Sequence, residues 1–247
     1  MRGADWLHVN GLDYNAELDQ IALSVRFFDE AWIIDHGTTP EDAAGPAGDL
    51  LYRWGTPSAY GMGSWEERRL FGQHNVQWIP KGHLGAGNLL VFNNGARPRE
   101  HASVDEWWAP RDPNGRYPIG VDQPWGPKEM EWAYVHEDPE ELDSPFISGA
   151  QRLPNGNTLI CSGEQGWVFE VTPDNRVVWD WRSPFEPDPD ELEEDNDDLP
   201  TAMFRAERYG AEHPGIVALR AKGAAIPSHP GRGPATHQRA SPVPRQK

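Results

Sequence analysis

The chain has 247 residues and a formal net charge of −17, with 22 Lys plus Arg against 39 Asp plus Glu. So acidic a surface repels a phosphate backbone, which argues against general nucleic-acid binding, and no apolar run nears the roughly 20 residues of a membrane helix. The single Cys161 excludes an internal disulfide and a cysteine zinc cage, and the 12 Trp, 25 Gly and 24 Pro point to short strands with many corners rather than a helical bundle.

The N-terminus, Met1-Arg2-Gly3-Ala4-Asp5-Trp6, carries no apolar stretch of an export signal, and nothing else in the chain assigns a location. From residue 5 to residue 182 a weak repeat runs through three segments. Each segment opens with a short strand after a polar lead-in: Leu7–Asp13, Asn75–Ile79 and Ser148–Leu153. A turn and an apolar strand follow, at residues 19–25, 87–92 and 156–161. The third strand carries an apolar–acidic step: Ile34-Asp35, Val104-Asp105 and Phe169-Glu170. The fourth holds two aromatics spaced by two residues: Tyr52 and Trp54, Trp132 and Tyr134, Trp179 and Trp181. Spacing of two places both rings on one face of a strand. Asn155-Gly156 predicts a hairpin turn and Asp174-Asn175 a second turn. The Gly/Pro stretches at 36–49 and 109–128 read as insertions between strands.

Four strands per unit, repeated, is the signature of β-propeller blades. The sequence therefore predicts an all-β chain, a partial β-propeller of about three four-stranded antiparallel blades over residues 4–220. An antiparallel sandwich is the competing architecture. Three blades do not close a ring, since propellers typically have about 4–8. Further blades upstream or a second chain in a homo-oligomer would complete it. The segment Glu186–Asp198 holds nine acids and no base and reads as a solvated loop. It lacks the turn glycine of a helix–loop–helix calcium site. Residues 221–247 are rich in Pro, Gly, Ala and Ser with scattered bases, and read as a disordered tail.

In a propeller the first strand of every blade lies beside the central channel, so residues heading these strands converge. His8 and His74 hold that position in the first two segments. Converging imidazoles suit acid–base or nucleophilic work; the plainer reading of each is a structural hydrogen-bonder. Arg97 follows the tight turn Asn93-Asn94-Gly95-Ala96. It is a candidate to hold an oxyanion by paired hydrogen bonds, or else a solvated loop base. No nucleophile elbow, phosphate loop or dinucleotide fingerprint is present. No cofactor or metal is expected.

The strings DWLHVNGLDYNAELDQIALSVR, LFGQHNVQWIP, GNLLVFNNGARP and SPFISGAQRLPNGNTLICSG resemble the arylsulfotransferase family, and Met203–Tyr209 resembles the segment after its last blade. The resemblance covers about residues 4–220 and corresponds to the C-terminal half of a family member. It implies a β-propeller that moves a sulfuryl group from an aryl sulfate to a phenol without a nucleotide donor. It implies that His8 and His74 match two active-site histidines and that Arg97 matches the sulfate-binding arginine. Trp6, Trp78 or Trp107 would then stack on the aryl ring or, more plainly, serve as propeller core. The family's third histidine, a transiently sulfurylated nucleophile, has no counterpart at Phe146-Ile147-Ser148-Gly149-Ala150. Two readings follow: a sulfotransferase acting on aryl sulfates and phenols, or a non-catalytic propeller module that binds a ligand or partner. A quinone-cofactor dehydrogenase propeller is disfavoured, because its repeated Ala-x-Asp…Gly-x-x-x-Trp signature is not evident.

Overall fold

Each apolar, turn-bounded run of the repeat forms a strand. In the computed structural model, which describes residues 4–96, 98–99, 101–184 and 201–223, these strands make three antiparallel four-stranded meanders. The first is β1 (Val9–Asn15), β2 (Gln20–Val25), β3 (Glu30–Asp35) and β4 (Tyr52–Trp54). The second is β5 (His74–Trp78), β6 (Leu89–Asn93), β7 (Ser103–Trp107) and β8 (Trp132–Tyr134). The third is β9 (Gly149–Arg152), β10 (Thr158–Ser162), β11 (Trp167–Val171) and β12 (Val177–Arg182). The fold is thus all-β with three blade-like sheets, as the repeat predicts, and no closed barrel forms among the described residues. Two short helices, α1 (Pro40–Ala43) and α2 (Pro214–Ala221), flank the sheets. No described helix is long and apolar enough to cross a membrane. Arg97, the acidic run 186–198 and the tail from residue 224 lie outside the described residues.

The β9–β10 hairpin turns at Asn155-Gly156, where Gly156 takes φ 87° and its N–H donates to the Leu153 carbonyl at 3.0 Å. Between β11 and β12, Asn175 takes φ 65°, a conformation that Asn tolerates better than most residues.

Alternation decides which core each side chain enters. On β6, Leu89 and Val91 face the first sheet, in a cluster with Ala22, Ile33, Val76 and Trp107. Their neighbours Leu90 and Phe92 face the third, in a cluster with Ala150, Ile160 and Phe169. The middle sheet is therefore buried on both faces, which is why β5, β6 and β7 lack exposed positions. Aromatic rings fill these layers: Trp54 stacks on Trp107 at 4.4 Å, and Trp167 stacks on Phe169 at 4.1 Å. Trp78 and Trp107 are core residues. The outer face of the third sheet is covered by the chain itself, with Met203 and Ala206 packed on Leu159, Cys161 and Val168.

Register corrects one element of the repeat. Leu90 pairs with Glu106 and Leu159 with Glu170, so Glu106, not Asp105, is the counterpart of Glu170. Each carboxylate accepts from the side-chain amide of the Asn two residues before its partner: Asn88 to Glu106 and Asn157 to Glu170, both at 2.6 Å. Each also pairs with an arginine, Arg152 with Glu106 and Arg208 with Glu170. Arg152 thereby ties the third sheet to the second.

The first strands of the three sheets lie side by side and run in the same direction. Asn10 donates to the Gln73 carbonyl at 2.8 Å, and Asp13 accepts from the Trp78 N–H at 2.8 Å. Gln77 Nε2 donates to the Ala150 carbonyl at 2.5 Å. Gly11 permits the approach, because a Cβ there would lie 3.0 Å from the Asn75 Cα. This parallel course brings the residues heading β1, β5 and β9 to one end of the molecule.

Candidate functional site

That end carries a second trace of the repeat. A left-handed residue stands at the head of each inner strand: His8 (φ 48°), Asn75 (φ 60°) and Ser148 (φ 84°). Such conformations are costly for non-glycine residues and persist only where surrounding bonds over-determine them. Those bonds are local at His8, whereas Asn75 is held from the third sheet, its Oδ1 accepting from the Ala150 N–H at 3.3 Å.

His8 precedes β1, and its carbonyl accepts from the Arg26 N–H at 3.2 Å. Asp5, three residues earlier, accepts twice from His8: Oδ1 from the backbone N–H at 3.0 Å, and Oδ2 from ring Nδ1 at 2.6 Å. These bonds hold the Asp5 carboxyl below the usual carboxylate range. They fix the ring proton on Nδ1 and leave Nε2 as the free nitrogen, with no bonding partner among the described residues. The imidazole is partly exposed, and Phe27 lies against it at 4.9 Å. Trp6 is exposed and packs edge-on against Phe28.

His74 heads β5 in a different state. It is buried, and both nitrogens are engaged. Nδ1 donates toward Asn94 Oδ1 at 2.8 Å and the Gly72 carbonyl at 3.1 Å. Nε2 accepts from the Ile147 N–H at 3.1 Å. Burial, with the Arg26 guanidinium nearby, pushes its pKa down to about 4, so the ring is neutral at neutral pH. Its lone pair holds the 146–148 loop, which Asn94 also clamps by donating to the carbonyls of Ser144 and Ile147 at 2.6 and 2.9 Å. Phe204 lies edge-on to His74 at 6.5 Å, and its carbonyl accepts from the Ser148 N–H at 2.9 Å.

Ser148 occupies the third head position, the left-handed one it shares with His8 and Asn75. Its hydroxyl is buried against Ser144 Oγ at 2.8 Å and accepts from the Gly163 N–H at 2.9 Å. A hydroxyl so engaged, with no base bonded to it, is a structural group.

The structure thus brings His8 and His74 to neighbouring inner strands at one end, with unlike environments. Arg97 lies outside the described residues, one position after the turn whose Asn94 orients His74. Sequence reasoning missed Asp5, Asn94 and Arg26. The Asp5-x-x-His8 spacing was a readable signal for the first; nothing local marked the other two. Two clefts lined by the 109–128 insertion, one bordered by Trp54, Tyr60 and Trp125 and one by Gln20 and Tyr117, lie away from the imidazoles. No group of three or more His, Cys, Asp or Glu is placed to hold a metal ion among the described residues.

No curated protein matches the chain. Among solved structures, a protein of unknown function from Bacteroides caccae is similar at 12% identity and a TM-score of 0.42, over 74% of this chain and 47% of that one. A streptogramin B lyase is similar at 9% identity and a TM-score of 0.41, over 74% of this chain and 43% of that one. The chain spans less than half the length of either. A model of the family described as Arylsulfotransferase (ASST) matches residues 1–182, most of the chain, and the chain belongs to that family.

Proposed function

We propose that the chain transfers a sulfuryl group from an aryl sulfate to a phenolic acceptor, without a nucleotide donor, at the end where the inner strands begin. The observation that carries this reading is the pair Asp5–His8: an imidazole oriented through Nδ1 by a carboxylate, with Nε2 open. Family membership supplies the reaction class.

Sulfuryl transfer, like phosphoryl transfer, develops charge on the leaving and equatorial oxygens. In the proposed step the sulfur–oxygen bond to the donor phenol breaks while one forms to the acceptor oxygen. His8, with Nε2 open, takes the acceptor's phenolic proton. The ring, then protonated on both nitrogens, gives that Nε2 proton to the departing phenolate, so the proton count closes over one turnover. Asp5 compensates the charge while the ring is protonated. His74 does not exchange protons in this scheme; it lines the site and fixes the 146–148 loop. Arg97 is proposed to hold sulfate oxygens, in line with the family resemblance. Exposed Phe27 and Phe204, beside the two imidazoles, offer faces for an aryl ring.

A second reading, a non-catalytic binding module, is favoured by the buried, fully bonded Ser148 at the third head position. A single assay separates the two. The full chain is incubated with a chromogenic aryl sulfate, with and without a phenol. Phenol-dependent release of the chromophore, with sulfated acceptor formed in equal amount, is the result expected of the transferase. Binding of the aryl sulfate with no product in either arm would leave the binding module.

A further inference from the structure

Other shielded arginines sit on carboxylates: Arg53 on Glu30, Arg68 on Asp29 and Arg152 on Glu106. Arg26 does not. It follows β2, and its backbone is pinned on both sides. Its N–H donates to the His8 carbonyl at 3.2 Å, and its own carbonyl accepts from the Asp29 N–H at 3.1 Å. Its Nε is shielded from solvent yet has no hydrogen-bond partner. The guanidinium lies 5.5 Å from the Phe27 ring, the same ring that rests on His8. Gly72, whose carbonyl accepts from His74 Nδ1, sits where a Cβ would lie 4.0 Å from Arg26 Nε. Arg26 therefore stands between His8 and His74, charged and without an acceptor among the described residues.

A buried N–H left unbonded costs free energy unless a ligand satisfies it. Guanidinium donors match the oxygens of a tetrahedral oxyanion. We propose that Arg26 binds a sulfate oxygen of the substrate and positions the sulfuryl group against His8. This rests on the sulfuryl-transfer reading for the identity of the anion, and it adds a residue that the family resemblance did not supply.

The probe is inorganic sulfate, titrated calorimetrically into the full chain at constant ionic strength, for the parent, Arg26→Gln and Arg26→Lys. The side chain makes no hydrogen bond among the described residues, so both variants should fold, with near-ultraviolet dichroism matching the parent. Arg26→Gln is expected to weaken sulfate binding roughly 10–100-fold, as loss of a charge-assisted bond implies. Arg26→Lys should recover part of it, because the charge returns without the fork. The His74 titration midpoint, read by NMR, should rise in Arg26→Gln, because a neighbouring positive charge is gone. Equal sulfate affinity in the parent and Arg26→Gln, or no sulfate binding by the parent, overturns the proposal. The KM for aryl sulfate separates the two claims. If the parent transfers sulfuryl groups and Arg26→Gln keeps its KM, Arg26 is wrong and the function stands. If sulfate binding depends on Arg26 but the parent forms no sulfated phenol, the anion site stands and the function fails.

Discussion

At the scale of single residues, the two histidines at the heads of β1 and β5 have opposite chemistry because their neighbours differ. Asp5 accepts from His8 and leaves one nitrogen open; Asn94, Gly72 and Ile147 occupy both nitrogens of His74. Two predictions separate these roles. Asp5→Asn removes the charge and the fixed tautomer, and should lower turnover roughly 10–100-fold, mostly in kcat. Steady-state kinetics on the aryl sulfate checks it, and unchanged kcat would remove Asp5 from the mechanism. His74 speaks through stability. Its folded pKa of about 4 lies below the ordinary value of 6.5, so between those pH values the unfolded chain binds more protons than the folded one. Its contribution is fully present above pH 6.5 and is lost as pH falls toward 4, amounting to about 3 kcal/mol at most. Urea unfolding across that window should therefore be steeper in pH for the parent than for His74→Gln. Parallel curves would contradict the neutral, buried ring. The positions of His8 and His74 were legible from the repeat, but their unlike states were not. Those states depend on Asn94 and Ile147, respectively 20 and 73 residues from His74 in sequence.

At the scale of elements, the strands were legible because each has a local cause: a turn residue, an alternating run, or aromatics two apart. What alternation could not supply is register between neighbours. The sequence pattern makes Asp105 the acidic step of the second segment, whereas the pairing of β6 with β7 gives that role to Glu106. The close approach of β1 and β5 was equally hidden, since it depends on Gly11 meeting the backbone of Asn75. Gly11→Ala should force these strands apart and cost about 1–3 kcal/mol, measured by denaturant unfolding. Phe169→Ala, which empties a fully buried ring position between the second and third sheets, should cost about 3–5 kcal/mol. A cost near zero for both would mean that the sheets do not pack as described.

At the scale of the whole molecule, the two ends of the stack of sheets differ. Residues 201–206 cover the third sheet's outer face, while the first sheet turns Leu12 and Tyr14 to solvent at 63% and 47% exposure. Leu12 pairs across β1 and β2 with Leu23, which pairs with Trp32, so this face is an apolar row without a covering layer. Such a face favours association. We propose that a second copy of the chain packs against this face. Mass in solution should then exceed that of the 27.7 kDa monomer, and Leu12→Lys should shift it to the monomer. A parent that is monomeric at all concentrations would refute packing by a second copy. The number of sheets was legible from three repeats of four strands; which outer face stayed open was not, because the covering segment follows the repeat.

The central claim is that the open Nε2 of His8 moves the proton when a sulfuryl group passes between phenols. It is tested most directly by mass-spectrometric measurement of sulfated acceptor formed by the parent and by His8→Ala under identical conditions. Steady formation by the parent and a loss of at least about 100-fold in the variant are expected. Equal formation by the two proteins would contradict it.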